Sequence, residues 1–117
     1  MLEPGPAKKV TVYVGEDAHH RGEPLYLSVL NYLFRRGIAG ATVTKGVAGF
    51  GVHHHIHTTR ILEISGNLPI KIEFVEQASM VGELLPTLTD LLAGGGLIEM
   101  HDTTVVVAPT LPASRGQ

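Results

Sequence analysis

The chain has 117 residues, with 44% apolar and 17% charged side chains and a formal net charge of -2. That is enough for one folded domain and too apolar for intrinsic disorder, and it offers no basic field to hold a nucleic-acid polymer. No cysteine occurs, which removes disulfides, iron–sulfur clusters and thiol catalysis, and any zinc site would have to use histidines and carboxylates. The amino terminus lacks a basic stretch followed by an apolar run, so no secretory signal is expected, and no apolar stretch is long enough to span a bilayer. A cytoplasmic protein is the expectation.

"KKVTVYV" (residues 8–14) alternates. Val10, Val12 and Val14 point one way and Lys9, Thr11 and Tyr13 the other, which predicts a half-buried strand. Residues 15–22 read as a polar loop, with His19 and His20 exposed before a helix. Pro24 stands at the first helical position and Gly37 just past the end. Between them Leu25, Val29 and Leu33 form a stripe, flanked by Tyr26, Leu30 and Phe34. Arg35 and Arg36 suit the negative end of that helix.

Gly40 turns the chain into a second strand at 41–45. Residues 46–67 hold four glycines and four closely spaced histidines, a long segment of the kind that is usually functional or mobile. "LPIKIEFVE" (residues 68–76) alternates again, with Ile70, Ile72 and Phe74 on one face and Lys71, Glu73 and Val75 on the other. Ser79 is the expected cap of a second helix running to about Leu92, with the stripe Val81, Leu84, Leu85, Leu88, Leu91 and Leu92. Pro86 inside it should remove one hydrogen bond or kink it, and Gly94-Gly95-Gly96 should end it. Two short apolar runs follow, 97–100 and 103–107. Residues 1–7 and 109–117, rich in Pro, Gly and Ala, read as frayed, flexible tails around a domain at 8–108.

The order β-α-β-β-α-β predicts an α+β, ferredoxin-like fold: a four-stranded antiparallel sheet with two helices on one face. The other face, with Tyr13 and Val75 on it, is left for further subunits to cover.

"GATVTKGVAGFG" (residues 40–51) followed by "LPIKIEFV" (68–75) resembles the nitrogen-regulatory PII signalling proteins. The chain is more closely similar to a PII-like family of unknown function, number 190. That family's members share "YVGE" ending the first strand, "GxPLY" opening the first helix, "GIAGATV", "GFG" and "IHTTRILEIS". The resemblance implies a homotrimer whose sheets pack around the threefold axis. It also implies nucleotide clefts between subunits, and a long loop between strands two and three that reaches a partner. Thr42, Gly49, Phe50 and Gly51 would lie in the cleft, Lys71 and Glu73 on the adjacent strand, and Gly94, Gly95 and Gly96 on the opposite wall. The PII pattern has a lysine in that glycine turn, a basic residue where Val52 stands, and a terminal pair of phosphate-holding arginines; no such pair follows Val107 here. The resemblance therefore implies a less charged ligand: an adenine nucleotide such as AMP, ADP or a cyclic form, or another small anion. Similar proteins are sometimes encoded beside or fused to small membrane channels, which implies a membrane transporter or channel as regulated partner.

From the residues themselves, Gly46, Gly49 and Gly51 suit either a bulge ending the strand or a close backbone approach to phosphate. Lys45 and Arg60 are candidate phosphate partners, with Arg21 a further one. If residues 53–57 are extended, His53, His55 and His57 share one side, a spacing able to hold a divalent metal. Trimeric proteins of divalent-metal tolerance, the CutA group, offer the analogy. His57, inside "IHTTRIL", also suits a ligand role. Ser65, Ser79, Asp90 and Asp102 form no triad and no nucleophile stands beside a base, so catalysis is not expected.

Overall fold

The computed structural model describes residues 1–49, 57–58 and 68–110, the pair 57–58 as backbone. Its elements in chain order are β1 (Gly5–Gly15), β2 (His19–His20), β3 (Glu23–Pro24), α1 (Leu25–Arg35), β4 (Thr42–Lys45), β5 (Ala48–Gly49), β6 (His57–Thr58), β7 (Pro69–Glu76), α2 (Ala78–Leu92) and β8 (Leu97–Val105). The main sheet runs β4-β7-β1-β8, every neighbouring pair antiparallel. Two helices and four main strands in this order make the α+β ferredoxin-like arrangement.

Period-two alternation builds the core. Val10, Val12 and Val14 of β1 and Ile70, Ile72 and Phe74 of β7 are buried on one face of the sheet. Against them pack Leu25, Val29 and Leu33 of α1 and Val81, Leu84, Leu88 and Leu92 of α2. Leu85 and Leu91 are partly buried beside these. Phe34 departs from expectation: it is 82% exposed. It lies about 100° round the helix from Leu33, which turns it off the packed face.

Both helix starts differ in detail from the sequence reading, whereas Gly37 stands just past the end of α1 as expected. Pro24 is the residue before α1 rather than its first turn, with φ -54 and ψ 132. At the other end Gly37 takes φ 77, its N–H donates to Phe34 O, and the Ile38 N–H donates to Leu33 O. This is a Schellman closure, in which Ile38 returns to the core. α2 starts at Ala78 with Gln77 as cap, so Ser79 lies inside the helix and caps nothing. The helix continues through Pro86, and its left-handed terminal residue is Ala93, followed by Gly94 at φ 83.

Three segments are more regular than their composition suggests. β1 begins at Gly5, not Lys8, and Leu2 and Ala7 are buried. Gln77 holds this stretch: its Nε2 donates to Pro6 O (2.9 Å), and its Oε1 accepts from the Glu3 N–H (2.7 Å). Frayed ends describe neither Glu3 nor Pro6; residues 111–117 lie outside the described part. The two carboxy-terminal runs are one strand, β8, paired with β1 from Leu97↔Tyr13 to Val105↔Gly5. An edge strand half open to solvent does not show clean alternation, which hid its continuity. In the expected polar loop, β2 and β3 form a hairpin, His19↔Pro24 and His20↔Glu23. Its turn is Arg21-Gly22, with φ 52 and 84. Two positive φ values are the mark of a type I′ turn, where Asn-Gly is the favoured pair.

Candidate functional site

The register places three of the predicted site residues, Thr42, Lys71 and Glu73, in rows on the uncovered face. Thr44, Lys71, Tyr13 and Leu97 form one row across the sheet, and Thr42, Glu73, Thr11 and Glu99 form the next. Glu73 is the hub. Its Oε2 accepts from Thr11 Oγ1 at 3.4 Å and lies 3.5 Å from Lys9 Nζ and 3.8 Å from Lys71 Nζ. Thr11 is 2% exposed although no helix covers it. Tyr13 Oη donates to Glu99 Oε2 at 3.1 Å. That bond, with the negative charge of Glu99 and then Glu73, holds the phenol above its usual pKa.

Beyond the end of β4 this face opens into a groove of about 450 Å³ beside β7. Lys9, Thr42, Glu73 and Val75 line it, with Leu2 and Pro109 as apolar walls. Two predicted residues, Thr42 and Glu73, therefore share a cavity, and Lys9, which the sequence reading assigned only to a strand face, joins them.

Of the remaining predicted residues, the described ones Lys45, Gly49 and Gly94–Gly96 lie toward the far end of the sheet. Gly15↔Pro69 closes one pair there, and Leu97, directly after Gly94–Gly96, lies opposite Tyr13. Lys45 Nζ donates to Glu16 Oε2 at 2.8 Å, which holds the Glu16 carboxyl below its usual pKa. The glycines at this end have packing reasons. A Cβ on Gly46 or Gly49 would meet Pro69 Cγ at 2.8 or 3.0 Å, and the Gly46 N–H donates to Pro69 O at 2.7 Å. A Cβ on Gly96 would lie 2.7 Å from both Tyr13 O and Leu92 Cδ2. Of the triple glycine, only Gly94 and Gly95 have room beside them. Pro69 went unnoticed in the sequence because its role is to receive two glycines from another strand.

Just past Pro69's contacts, Ala48↔Thr58 and Gly49↔His57 pair as a short ladder at the root of the long segment. Phe50, Gly51, His53, His55 and Arg60 lie outside the described residues, as does the side chain of His57. Among the described residues no group of three or more His, Asp or Glu side chains could hold a metal ion; the histidine side chains of the expected metal site are not among them.

Residues 7–105 match the model of the family described as "Uncharacterized ACR", domain of unknown function 190. The chain belongs to this family. The family's UPF0166 protein from Methanocaldococcus jannaschii is 36% identical over 104 residues, covering 89% of this chain and 95% of that protein. Another from Aquifex aeolicus is 26% identical over 99 residues, covering 85% and 92%. Among solved structures, the chain is similar to CPII, a nitrogen regulatory PII-like protein from Thiomonas intermedia, bound to ADP, AMP and bicarbonate. The TM-score is 0.66 at 21% identity, over 90% of this chain and 92% of that one. The apo form of CPII gives 0.59 at 22% identity. At such identities the likeness speaks for the fold, which is PII-like.

Proposed function

We propose that this protein is a PII-like regulator, not an enzyme. It binds a small anionic metabolite, with an adenine nucleotide as the favoured class, in clefts between the subunits of a cytoplasmic homotrimer. Ligand binding orders the segment between β4 and β7, which then presents or withholds a surface for a partner. A membrane transporter or channel is the partner class we favour. No helix among the described residues is long and apolar enough to cross a membrane itself.

The observation that carries this reading is the sheet register. It supports the reading by bringing Lys45, Lys71 and Gly94, which has open space beside it, to the end of the sheet from which that segment departs. Cations and bare backbone N–H groups are what a phosphate needs. CPII, of the same fold, is described with AMP, ADP and bicarbonate bound, and the weak cationic complement here suits a ligand with few phosphates and a companion anion. Arg60, Phe50, Gly51 and His57 are the further contacts we assign. The switch is a difference in ligand affinity between two states of the segment.

The test is thermal denaturation with AMP, ADP, cyclic AMP and bicarbonate, alone and paired, alongside light-scattering mass. A ligand at a hundredfold its Kd should stabilise by about 2.7 kcal/mol, and Lys71→Ala and Arg60→Ala should reduce the shift. Gly49 is a poor probe because its substitution strikes Pro69. A single-chain mass at working concentration, or melting curves indifferent to every nucleotide, would end this reading.

A further inference from the structure

On the helical side of the molecule, remote from the open sheet face, a second groove of about 250 Å³ lies between the β2–β3 hairpin and the two helices. One stripe of α1 floors it: Ser28, Asn31, Tyr32 and Arg35, at the i, i+3, i+4 and i+7 spacing of a single helix face. Thr87 and Leu91 of α2 close one side, and His20, Arg21 and Glu23 of the hairpin close the other.

Arg36, the next residue along, is fully engaged: its guanidinium donates to Tyr32 Oη and to Glu83 Oε1, both at 3.0 Å, and lies over the Tyr32 ring. That arrangement fixes one wall. Arg21 and Arg35, by contrast, form no ion pair and no side-chain hydrogen bond among the described residues. The acid in the groove, Glu23, accepts from Asn31 Nδ2 at 3.5 Å and is bonded to neither arginine. Ser28, Asn31 and Thr87 add neutral hydrogen-bonding groups. The position of Arg21 also calls for a reason. A type I′ turn favours asparagine or glycine at its first centre, and an arginine there holds φ 52 against its own preference. Strain of this kind is found where a side chain is being aimed.

We propose that this groove is a binding site for a compact phosphate-bearing small molecule, gripped between Arg21 and Arg35. Planar guanidinium forks match phosphate oxygens two at a time. The volume is below the roughly 300–1,000 Å³ of most ligand pockets, so it receives a phosphate group and a few attached atoms rather than a whole nucleotide. The site is separate from the inter-subunit clefts and stands or falls independently of them.

The probe is inorganic phosphate, titrated into the intact protein at constant ionic strength with chloride, and followed by backbone amide chemical shifts. Saturable shifts are expected in residues 20–23, 28–35 and 87–91. Arg35→Gln should weaken binding roughly tenfold or more, the scale of one charge-assisted hydrogen bond. Arg21→Gly should do the same while melting no lower than the parent, because glycine accepts φ 52 freely. Glu23→Gln should tighten binding by removing a repulsive charge. Lys45→Ala and Lys71→Ala should leave it unchanged. Absent shifts, shifts around the groove that persist in the Arg21→Gly/Arg35→Gln double variant, or shifts confined to the neighbourhood of Lys45 and Lys71 would overturn the proposal. Arginine-dependent pelleting with phosphatidic acid vesicles would assign the phosphate to a lipid headgroup and overturn the small-molecule assignment.

Discussion

The two faces of the main sheet are made by the same strands and behave as different materials. On β1, Val10, Val12 and Val14 lie under the helices, almost without solvent, and are held by dispersion and burial. One residue out of phase, Lys9, Thr11 and Tyr13 take part in a polar lattice with Glu73 and Glu99, whose bonds are long and partly exposed. The difference teaches that stability and recognition here share a backbone but not a side-chain set. The helical face should respond to lost volume. The open face should respond to changed charge with little change in stability.

The strongest way to break that contrast is on the helical face. Leu88→Ala should cost about 3 kcal/mol of unfolding free energy by the cavity it leaves, read from denaturant midpoints; a cost below 1 would contradict the packing described. Gly96→Ala comes next. Its new methyl meets the Tyr13 carbonyl, which cannot rotate away, so a loss of about 2 kcal/mol is expected. Gly46→Ala should cost less, about 1 kcal/mol, because its obstacle is the ring of Pro69. Pro69→Ala removes that ring atom, so the pair should be non-additive by at least about 0.5 kcal/mol in a double-mutant cycle. Strict additivity would show that the glycine and the proline do not constrain each other.

On the open face Thr11→Val should change stability by less than about 1 kcal/mol, since it removes one long hydrogen bond and keeps the volume. The smallest effect is electrostatic. Lys8 beside Asp102, and Lys45 beside Glu16, hold those carboxyls below their usual values, in each case chiefly through the hydrogen bond they donate. A carboxyl with a depressed folded pKa contributes stability above its unfolded pKa and loses it as pH falls through the folded one. Lys8→Met and Lys45→Met should therefore flatten the acid limb of a stability–pH profile and leave neutral pH nearly untouched. Both pairs are exposed, so 0.5 M salt should produce much of the same flattening.

Much of this was legible because alternation and helical stripes report burial directly. Ile70, Ile72 and Phe74, or Val81, Leu84 and Leu88, declare their inner face by spacing alone. The boundaries that failed did so for a common reason. The amino-terminal residues are ordered by Gln77, which lies 71 positions from Pro6, and no local pattern carries a clamp of that range. β8 is paired along β1 at an edge where neither face is fully buried, so its composition shows two fragments. The candidate site was readable as residue types and as a resemblance, but not as a neighbourhood. Gly46, Gly49 and Gly96 read equally as turn formers and as a phosphate cradle, because glycine signals only that something comes close; the structure adds that Pro69 and the Tyr13 carbonyl lie close to them.

By itself the sequence determined the two helices and the order of the main strands, which face of β1, β7 and the helices is apolar, and which family the chain belongs to, because those depend on periodicity and on runs of neighbouring residues. Only the tertiary structure decided what each described glycine accommodates, that Glu73 gathers Lys9, Thr11 and Lys71, and that Arg21 and Arg35 line one groove without an ion-pair partner among the described residues. Those facts depend on distances between residues far apart in the chain, and such distances exist only once the sheet has its register and the helices have packed upon it.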